Sequence, residues 1–179
     1  MKLKKEGSVL KITLLGLSLA LYFVLSLTSA NFQFVKVSLA GLPIIFIAVV
    51  YGPFEAAGLG FIGEFIIQMI TYGFTPTTLL WCLPVAARGL IVGFMFKQKD
   101  IRTHKLQWIL TITVSCIVVT LINTFVIFVD AKIFEYPSQL TTITIFIRLA
   151  NSIASAVAYA LLLPALIIPL INQGKFETE

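Results

Sequence analysis

Three charged side chains within apolar stretches are the first candidates for chemistry. Glu64, Arg88 and Arg148 each lie in a run of mainly apolar residues. Long apolar runs are typical of helices that cross a membrane. A charged group there costs about 2.5 to 3.5 kcal/mol on insertion scales, so each of the three needs a partner, water or a ligand. Two guanidinium groups against one carboxylate leave a surplus positive charge, and a guanidinium can bind a carboxylate through two parallel hydrogen bonds. The set therefore predicts a small anionic ligand, unless Glu64 pairs with one arginine and the other reaches the membrane surface or a helix end.

Amide and aromatic side chains extend this polar set. Arg148 and Asn151 are three residues apart, so they share one face of a helix, and Asn123 could complete a polar wall from the preceding segment. Asparagines in membranes equally serve as hydrogen-bonding contacts between helices. Trp81 is either an aromatic residue of the site or an anchor at the membrane surface.

Other kinds of chemistry find little support. Cys82 and Cys116 lie in apolar runs without a CxxC spacing, and the single histidine, His104, lies in a basic segment. Paired membrane carboxylates, a Ser/His pair and a phosphate-binding glycine loop with lysine are missing, which leaves Glu64 as the one membrane acid. We therefore expect no enzymatic activity, no metal and no cofactor.

The elements that position these residues are predicted to be membrane helices. Of the 179 residues, 59% are hydrophobic and only 12% are charged, too few to cover a soluble domain. Apolar runs approach the roughly 20 residues that a helix needs to cross a hydrocarbon core, and the alternating pattern of a membrane β-barrel is missing. We predict an all-α integral membrane protein, with residues 1–179 forming a single domain of six transmembrane helices.

Turn-forming and charged clusters delimit six segments: 8 to 29, 37 to 51, 54 to 72, 79 to 96, 106 to 128 and 142 to 171. The first is longer than the core of a secretory signal and is followed by further membrane segments, so we interpret it as a retained helix. Gly52-Pro53 predicts a tight turn between antiparallel neighbours. Kinks or frayed ends are expected at the prolines within apolar runs, Pro43, Pro84, Pro164 and Pro169.

Lysine and arginine positions predict that both termini are cytoplasmic, because positive residues are retained on that side. They cluster at the start of the chain and after the fourth segment, at Lys2, Lys4, Lys5, Lys11, Lys97, Lys99, Arg102 and Lys105, and only Lys36 and Lys132 fall opposite. This topology explains the net charge of +5 better than nucleic-acid binding does. It places Gln68, Asn123 and Arg148 in the outer half of the membrane, and Glu64, Arg88 and Asn151 nearer its middle.

Small residues at four-residue spacing predict close helix packing, as at Gly16 and Ala20 and at Gly89 and Gly93. Such pairs serve either packing within the chain or contact with another membrane protein.

Several short motifs together resemble one family. They are Val35-Lys36-Val37-Ser38 before Leu42-Pro43, then Tyr51-Gly52-Pro53, the glycine-rich stretch Gly58 to Gly63 with Glu64, and Arg88-Gly89-Leu90-Ile91-Val92-Gly93. The pattern is similar to that of the substrate-binding S components of energy-coupling factor (ECF) vitamin transporters, particularly the folate-type group, over nearly the whole chain. Glu64 stands where many relatives have Asp.

The resemblance implies a six-helix protein of the cell membrane that captures a vitamin from outside. It also implies a transmembrane coupling subunit and two ATPase subunits as partners, with no hydrolysis by this chain. Small residues on the first helix contact the coupling subunit in that family, and Gly16 and Ala20 match, with Gly in place of the first Ala. The loop Asn31 to Ser38 would be the lid, with Phe34 and Lys36 as candidates.

Pantothenate is the vitamin that these residues favour, since it is a compact anion with hydroxyls and an amide. Folate would also offer carboxylates but needs an aromatic slot, and other water-soluble vitamins, including pyridoxine and queuosine precursors, stay open. A structural membrane subunit without its own ligand is the remaining alternative. The candidate substrate-binding residues are Glu64, Gln68, Trp81, Arg88, Asn123, Arg148 and Asn151.

Overall fold

The chain folds as a bundle of six helices in a computed structural model that describes residues 2–3, 8–28, 39–96, 101, 103–135, 142–172 and 176–177. The helices are α1 Ser8–Leu27, α2 Gly41–Val50, α3 Pro53–Tyr72, α4 Thr78–Met95, α5 Lys105–Ile133 and α6 Thr142–Asn172. Five of them are long and apolar enough to cross a membrane, which confirms the predicted all-α membrane bundle. The second, α2, has only 10 residues, fewer than the roughly 20 needed to span.

Helix α2 forms the centre of the bundle. It is apolar around its whole circumference, as expected for a helix that neighbours cover on all sides. Ile44, Ile45 and Ile47 are fully buried, and α2 contacts α1, α3, α4 and α6. The N-terminus of α2 therefore lies inside the protein, among the side chains of the longer helices.

The turn between α2 and α3 has the tight form predicted from Gly52-Pro53. Gly52 has a φ of 114°, a conformation that a side chain disfavours, and Pro53 is the first residue of α3. At the other end of α3, Gly73 has a φ of 73°, and its N–H donates to the carbonyl of Met69 at 3.2 Å. Glycine thus sets both ends of the helix that carries Glu64.

Helices α3 and α4 form the most extensive helix contact of the described chain, and glycines allow it. A Cβ added to Gly93 would lie 2.4 Å from the Cα of Pro53, and one added to Gly89 would lie 2.7 Å from the backbone carbon of Ala56. The predicted close packing at Gly89 and Gly93 is therefore packing within the chain.

Substitution of Gly93 by alanine is expected to destabilise the bundle, because the new methyl meets backbone that cannot move aside. Overpacking of this kind costs about 1 to 3 kcal/mol. Thermal denaturation in detergent measures the effect as a lower Tm. Gly16→Ala is the matched control, since an added Cβ there meets no atom within 4 Å. Equal melting temperatures for the two variants would contradict the close contact.

Two of the prolines in the helices are accommodated, one by a neighbouring side chain and one by its position. Pro164 has no N–H to bond the carbonyl of Ala160, and the indole Nε1–H of Trp108 donates to that carbonyl at 3.4 Å. Pro43 lies in the first turn of α2, where the missing N–H would have no helical partner. At Pro164 a neighbouring helix thus satisfies the freed backbone carbonyl, as expected for membrane helices.

The two ends of the chain meet. Strand β1 Lys2–Leu3 pairs with strand β2 Phe176–Glu177 in antiparallel register. This pairing places both termini at the same end of the bundle, as the predicted topology requires.

Candidate functional site

A central cavity of about 540 Å³ lies among α1 to α5, and a smaller one of about 270 Å³ adjoins it between α4, α5 and α6. Arg88, Val119 and Asn123 line both. The larger cavity also contains Glu64, Gln68 and Trp81, and the smaller one contains Arg148 and Asn151. The structure thus brings all seven predicted residues to two joined cavities, whose size suits a small molecule.

Glu64 is held by neutral donors on both carboxylate oxygens. The hydroxyl of Tyr22 donates to Oε2 at 2.5 Å, and Nε2 of Gln68, one turn further along α3, donates to Oε1 at 2.8 Å. In the described part of the chain, Glu64 forms no ion pair with either arginine. The pairing of Glu64 with an arginine, considered above as an alternative, is therefore not found among these residues.

Arg88 lies against the first turn of α2. Its Nη1 donates to the hydroxyl of Tyr159 at 3.2 Å, and its guanidinium carbon lies 5.3 Å from the centre of that ring. Its Nε is buried without a hydrogen-bond partner among the described residues. A Cβ added to Gly41 would lie 1.9 Å from Nη1, so the guanidinium occupies the space where a side chain would be. The N-terminus of α2 adds further positive potential here, which favours an anion.

Arg148 stands in the wall of the smaller cavity, half-buried, beside the predicted partners. Asn123 and Asn151 line the same space, as expected from their spacing, and Ser152 and Ser155 add hydroxyl groups. The hydroxyl of Ser152 is buried and has no hydrogen-bond partner within the described ranges. Arg148 has no carboxylate within ion-pair distance among the same residues. The wall is thus rich in hydrogen-bond donors and carries a net positive charge.

A third pocket, of about 410 Å³, adjoins the central cavity towards the predicted outer side and shares Gln68, Tyr72 and Trp81 with it. Asp130 lies in its wall and accepts a hydrogen bond from the hydroxyl of Thr77 at 2.5 Å. Helix α5 continues to Ile133, past the predicted end at residue 128. Helix α5 thus carries a second acid, Asp130, three residues before its end and beyond the predicted segment 106 to 128.

The remaining predicted positions lie elsewhere. Gly16 and Ala20 are exposed on α1, on the outside of the bundle. The lid candidates Phe34 and Lys36 lie outside the described residues. Tyr22 and Gly41 were not predicted, although both line the central cavity. Gly41 belongs to the Leu42-Pro43 neighbourhood that the motifs marked, and nothing in the sequence marks Tyr22.

The fold and the site together define a membrane-embedded subunit with an internal polar binding cavity. A family model described as ECF-type riboflavin transporter, S component, matches residues 6–167, and the chain belongs to that family. No curated protein matches the chain, and no solved structure does. The predicted S-component class is confirmed, whereas the matched family is the riboflavin type rather than the expected folate-type group.

Membership of this family settles the general role. The chain is the multi-pass, substrate-binding subunit of a vitamin transporter and associates with an ECF module that contains transmembrane and ATPase subunits. The family is a transporter family and not an enzyme family.

Proposed function

We propose that the chain captures a water-soluble vitamin that carries a carboxylate, with pantothenate as the first candidate. The observation that supports it is the pair of guanidinium groups, Arg88 and Arg148, in joined cavities without an acidic partner in the described chain. A ligand carboxylate would supply the missing negative charge and accept hydrogen bonds from the fork of either arginine.

Another part of the same cavity suits the other end of such a ligand. Glu64 accepts hydrogen bonds and lies in the same cavity as Arg88, on a different helix. Pantothenate has two hydroxyl groups at one end, an amide in the middle and a carboxylate at the other end. We place the hydroxyls towards Glu64 and Gln68 and the carboxylate towards the arginines, with Asn123 near the amide.

Riboflavin is the second candidate, because the matched family model is named for it. Trp81 in the cavity wall offers an aromatic surface to a flat ring system. Riboflavin is uncharged at neutral pH, however, and would not neutralise the surplus positive charge that the two guanidinium groups have over Glu64. Folate is a third candidate, since it has carboxylates as well as a ring.

A comparison of pantothenate with panthenol tests this proposal, because the two differ only in the carboxylate, which is an alcohol in panthenol. Titration calorimetry and thermal shift on the detergent-purified chain measure affinity and stabilisation. We expect pantothenate to bind at least roughly 30-fold more tightly, as the loss of one partner from a buried charge pair costs about 2 kcal/mol or more. Riboflavin and folate complete the panel.

The outcomes separate the candidates. Tight binding of riboflavin without binding of pantothenate would contradict the proposal that the ligand is an anion and would favour riboflavin, the second candidate. Equal affinities for pantothenate and panthenol would show that the arginines do not bind the carboxylate. A folded protein that responds to none of the vitamins would contradict the whole assignment of this cavity.

The outer face of α1 is our proposed contact with the coupling subunit. An added Cβ at Gly16 meets nothing within 4 Å, and Ala20 is exposed one turn further along. Beside them, an apolar groove of about 420 Å³ runs between α1 and α3 and reaches Gly58. Small residues on an open helix face allow another membrane helix to approach closely.

A further inference from the structure

Helix α1 is attached to the bundle through few buried side chains. Among residues 9–27, only Ser18 and Tyr22 are buried, and most of the large apolar side chains of α1 face outwards. Side-chain contacts that join α1 to α3 in the described chain include Lys11, which binds Glu55 at 2.8 Å near the start of α1, and the Tyr22 hydroxyl, which donates to Glu64 at 2.5 Å in its other half. Tyr22 is thus the one large buried side chain of this helix.

The position of Tyr22 depends on a glycine in α3. A Cβ added to Gly63 would lie 2.8 Å from Cδ1 of the Tyr22 ring, so the ring lies directly over that glycine. From there the hydroxyl reaches Glu64, which lines the central cavity. The hydroxyl of Tyr22 therefore occupies one of the positions from which a ligand donor would approach this carboxylate.

The opposite side of α1 carries the proposed coupling face. Gly16 and Ala20 each precede a buried residue, Ser18 or Tyr22, by two positions, which is about 200° around a helix of 3.6 residues per turn. The same helix therefore presents Tyr22 to the cavity and Gly16 and Ala20 to the outside.

From this arrangement we propose that Tyr22 is a positioning residue that links occupancy of the cavity to the position of α1. The inference rests on the proposed function. A vitamin hydroxyl replaces the hydroxyl of Tyr22 as donor to Glu64, and the outer half of α1 is released from α3. Vitamin binding can shift this equilibrium because the ligand binds more tightly when Tyr22 does not compete for the carboxylate.

The distance between α1 and α5 tests the proposal. Val24→Cys on α1 and Leu121→Cys on α5 place spin labels at positions that are 57% exposed in both cases. The native Cys82 and Cys116 are buried, and a labelled sample without the introduced cysteines checks that they do not react. Electron-spin distance measurements are made without ligand and with pantothenate or whichever vitamin of the panel stabilises the chain.

Tyr22→Phe removes only the hydroxyl, so it should shift the label distance without any ligand, to the value that the vitamin produces in the native chain. Its vitamin affinity should be equal to that of the native chain or several-fold higher, because the competing donor is gone. A residue that merely supported the fold would lower the affinity instead. Tyr72→Phe is the matched control for the distance, since Tyr72 lines the same cavity but is 71% exposed.

An unchanged ligand-free distance in Tyr22→Phe would overturn the inference whichever vitamin binds. A distance in the native chain that a bound vitamin leaves unchanged would overturn it as well. Absence of vitamin binding to the native chain would instead contradict the proposed function, and the ligand-free comparison would still decide the role of Tyr22.

Discussion

Arg88→Gln is expected to weaken pantothenate binding by at least roughly 30-fold, the largest effect of any single substitution in the site. Removal of one partner of a buried charge pair costs about 2 to 5 kcal/mol. Each factor of ten in the dissociation constant corresponds to about 1.4 kcal/mol. Glutamine keeps a donor for Tyr159, to which Arg88 donates at 3.2 Å, so the packing around it should persist. Titration calorimetry measures the affinity, and thermal denaturation checks the fold.

Two comparisons isolate the cause of this loss. Arg88→Lys keeps the charge but loses the planar fork, so its affinity should fall between those of the native and glutamine forms. Lys132→Gln removes one exposed positive charge at the end of α5 that lines none of the three cavities described, and should leave the affinity unchanged. Panthenol, which lacks the carboxylate, should bind native and Arg88→Gln chains alike. Undiminished pantothenate binding by a folded Arg88→Gln chain would exclude Arg88 as the anion-binding residue.

The bounds of a helix could be predicted from the sequence where glycine and proline mark its ends. The segment predicted as 54 to 72 is Pro53–Tyr72, because Gly52-Pro53 and Gly73 limit it on both sides. Helix α5 was predicted too short, because Asp130 and Lys132 resemble a loop. In the structure Thr77 donates to Asp130, and with this hydrogen bond the helix continues to Ile133. Contacts between distant residues decide such ends, and a local pattern does not contain them.

The polar residues of the site were predictable because charge is rare in membrane helices. Arg88 and Arg148 stand out on that ground alone. Tyr22 does not, since a tyrosine is common near membrane surfaces and its partner Glu64 is 42 positions away in the sequence. Gly41 was missed for the same reason: its role depends on the side chain of Arg88, which arrives from another helix.

The class of transporter was easier to predict than the vitamin. The motifs behind the resemblance consist largely of glycines and prolines, and the structure shows what these do. Gly52 and Pro53 form a turn, and Gly89 and Gly93 let α4 approach α3. Residues that shape the bundle are needed whatever the ligand is, so they indicate the S-component fold without distinguishing one vitamin from another.

Gly41→Ala is expected to weaken pantothenate binding by roughly tenfold or more while the chain stays folded. The new methyl would lie 1.9 Å from Nη1 of Arg88 and 2.7 Å from the hydroxyl of Tyr159. The nearest atom, Nη1, ends a long flexible side chain, so we expect the guanidinium to move away while the backbone keeps its position. Loss of a hydrogen bond to a charged group costs about 1.5 to 3 kcal/mol, which corresponds to that change in affinity. Titration calorimetry measures it.

Gly58→Ala provides the matched control, because it makes the same change in a helix where an added Cβ meets nothing within 4 Å. Its affinity for pantothenate should equal that of the native chain. The contrast with Gly93→Ala is equally informative, since there the methyl meets backbone and stability should fall. If Gly41→Ala lowered the melting temperature as much as Gly93→Ala does, Gly41 would be needed for helix packing and not for the position of Arg88. If it left both affinity and stability unchanged, Arg88 would not need its observed position to bind the vitamin.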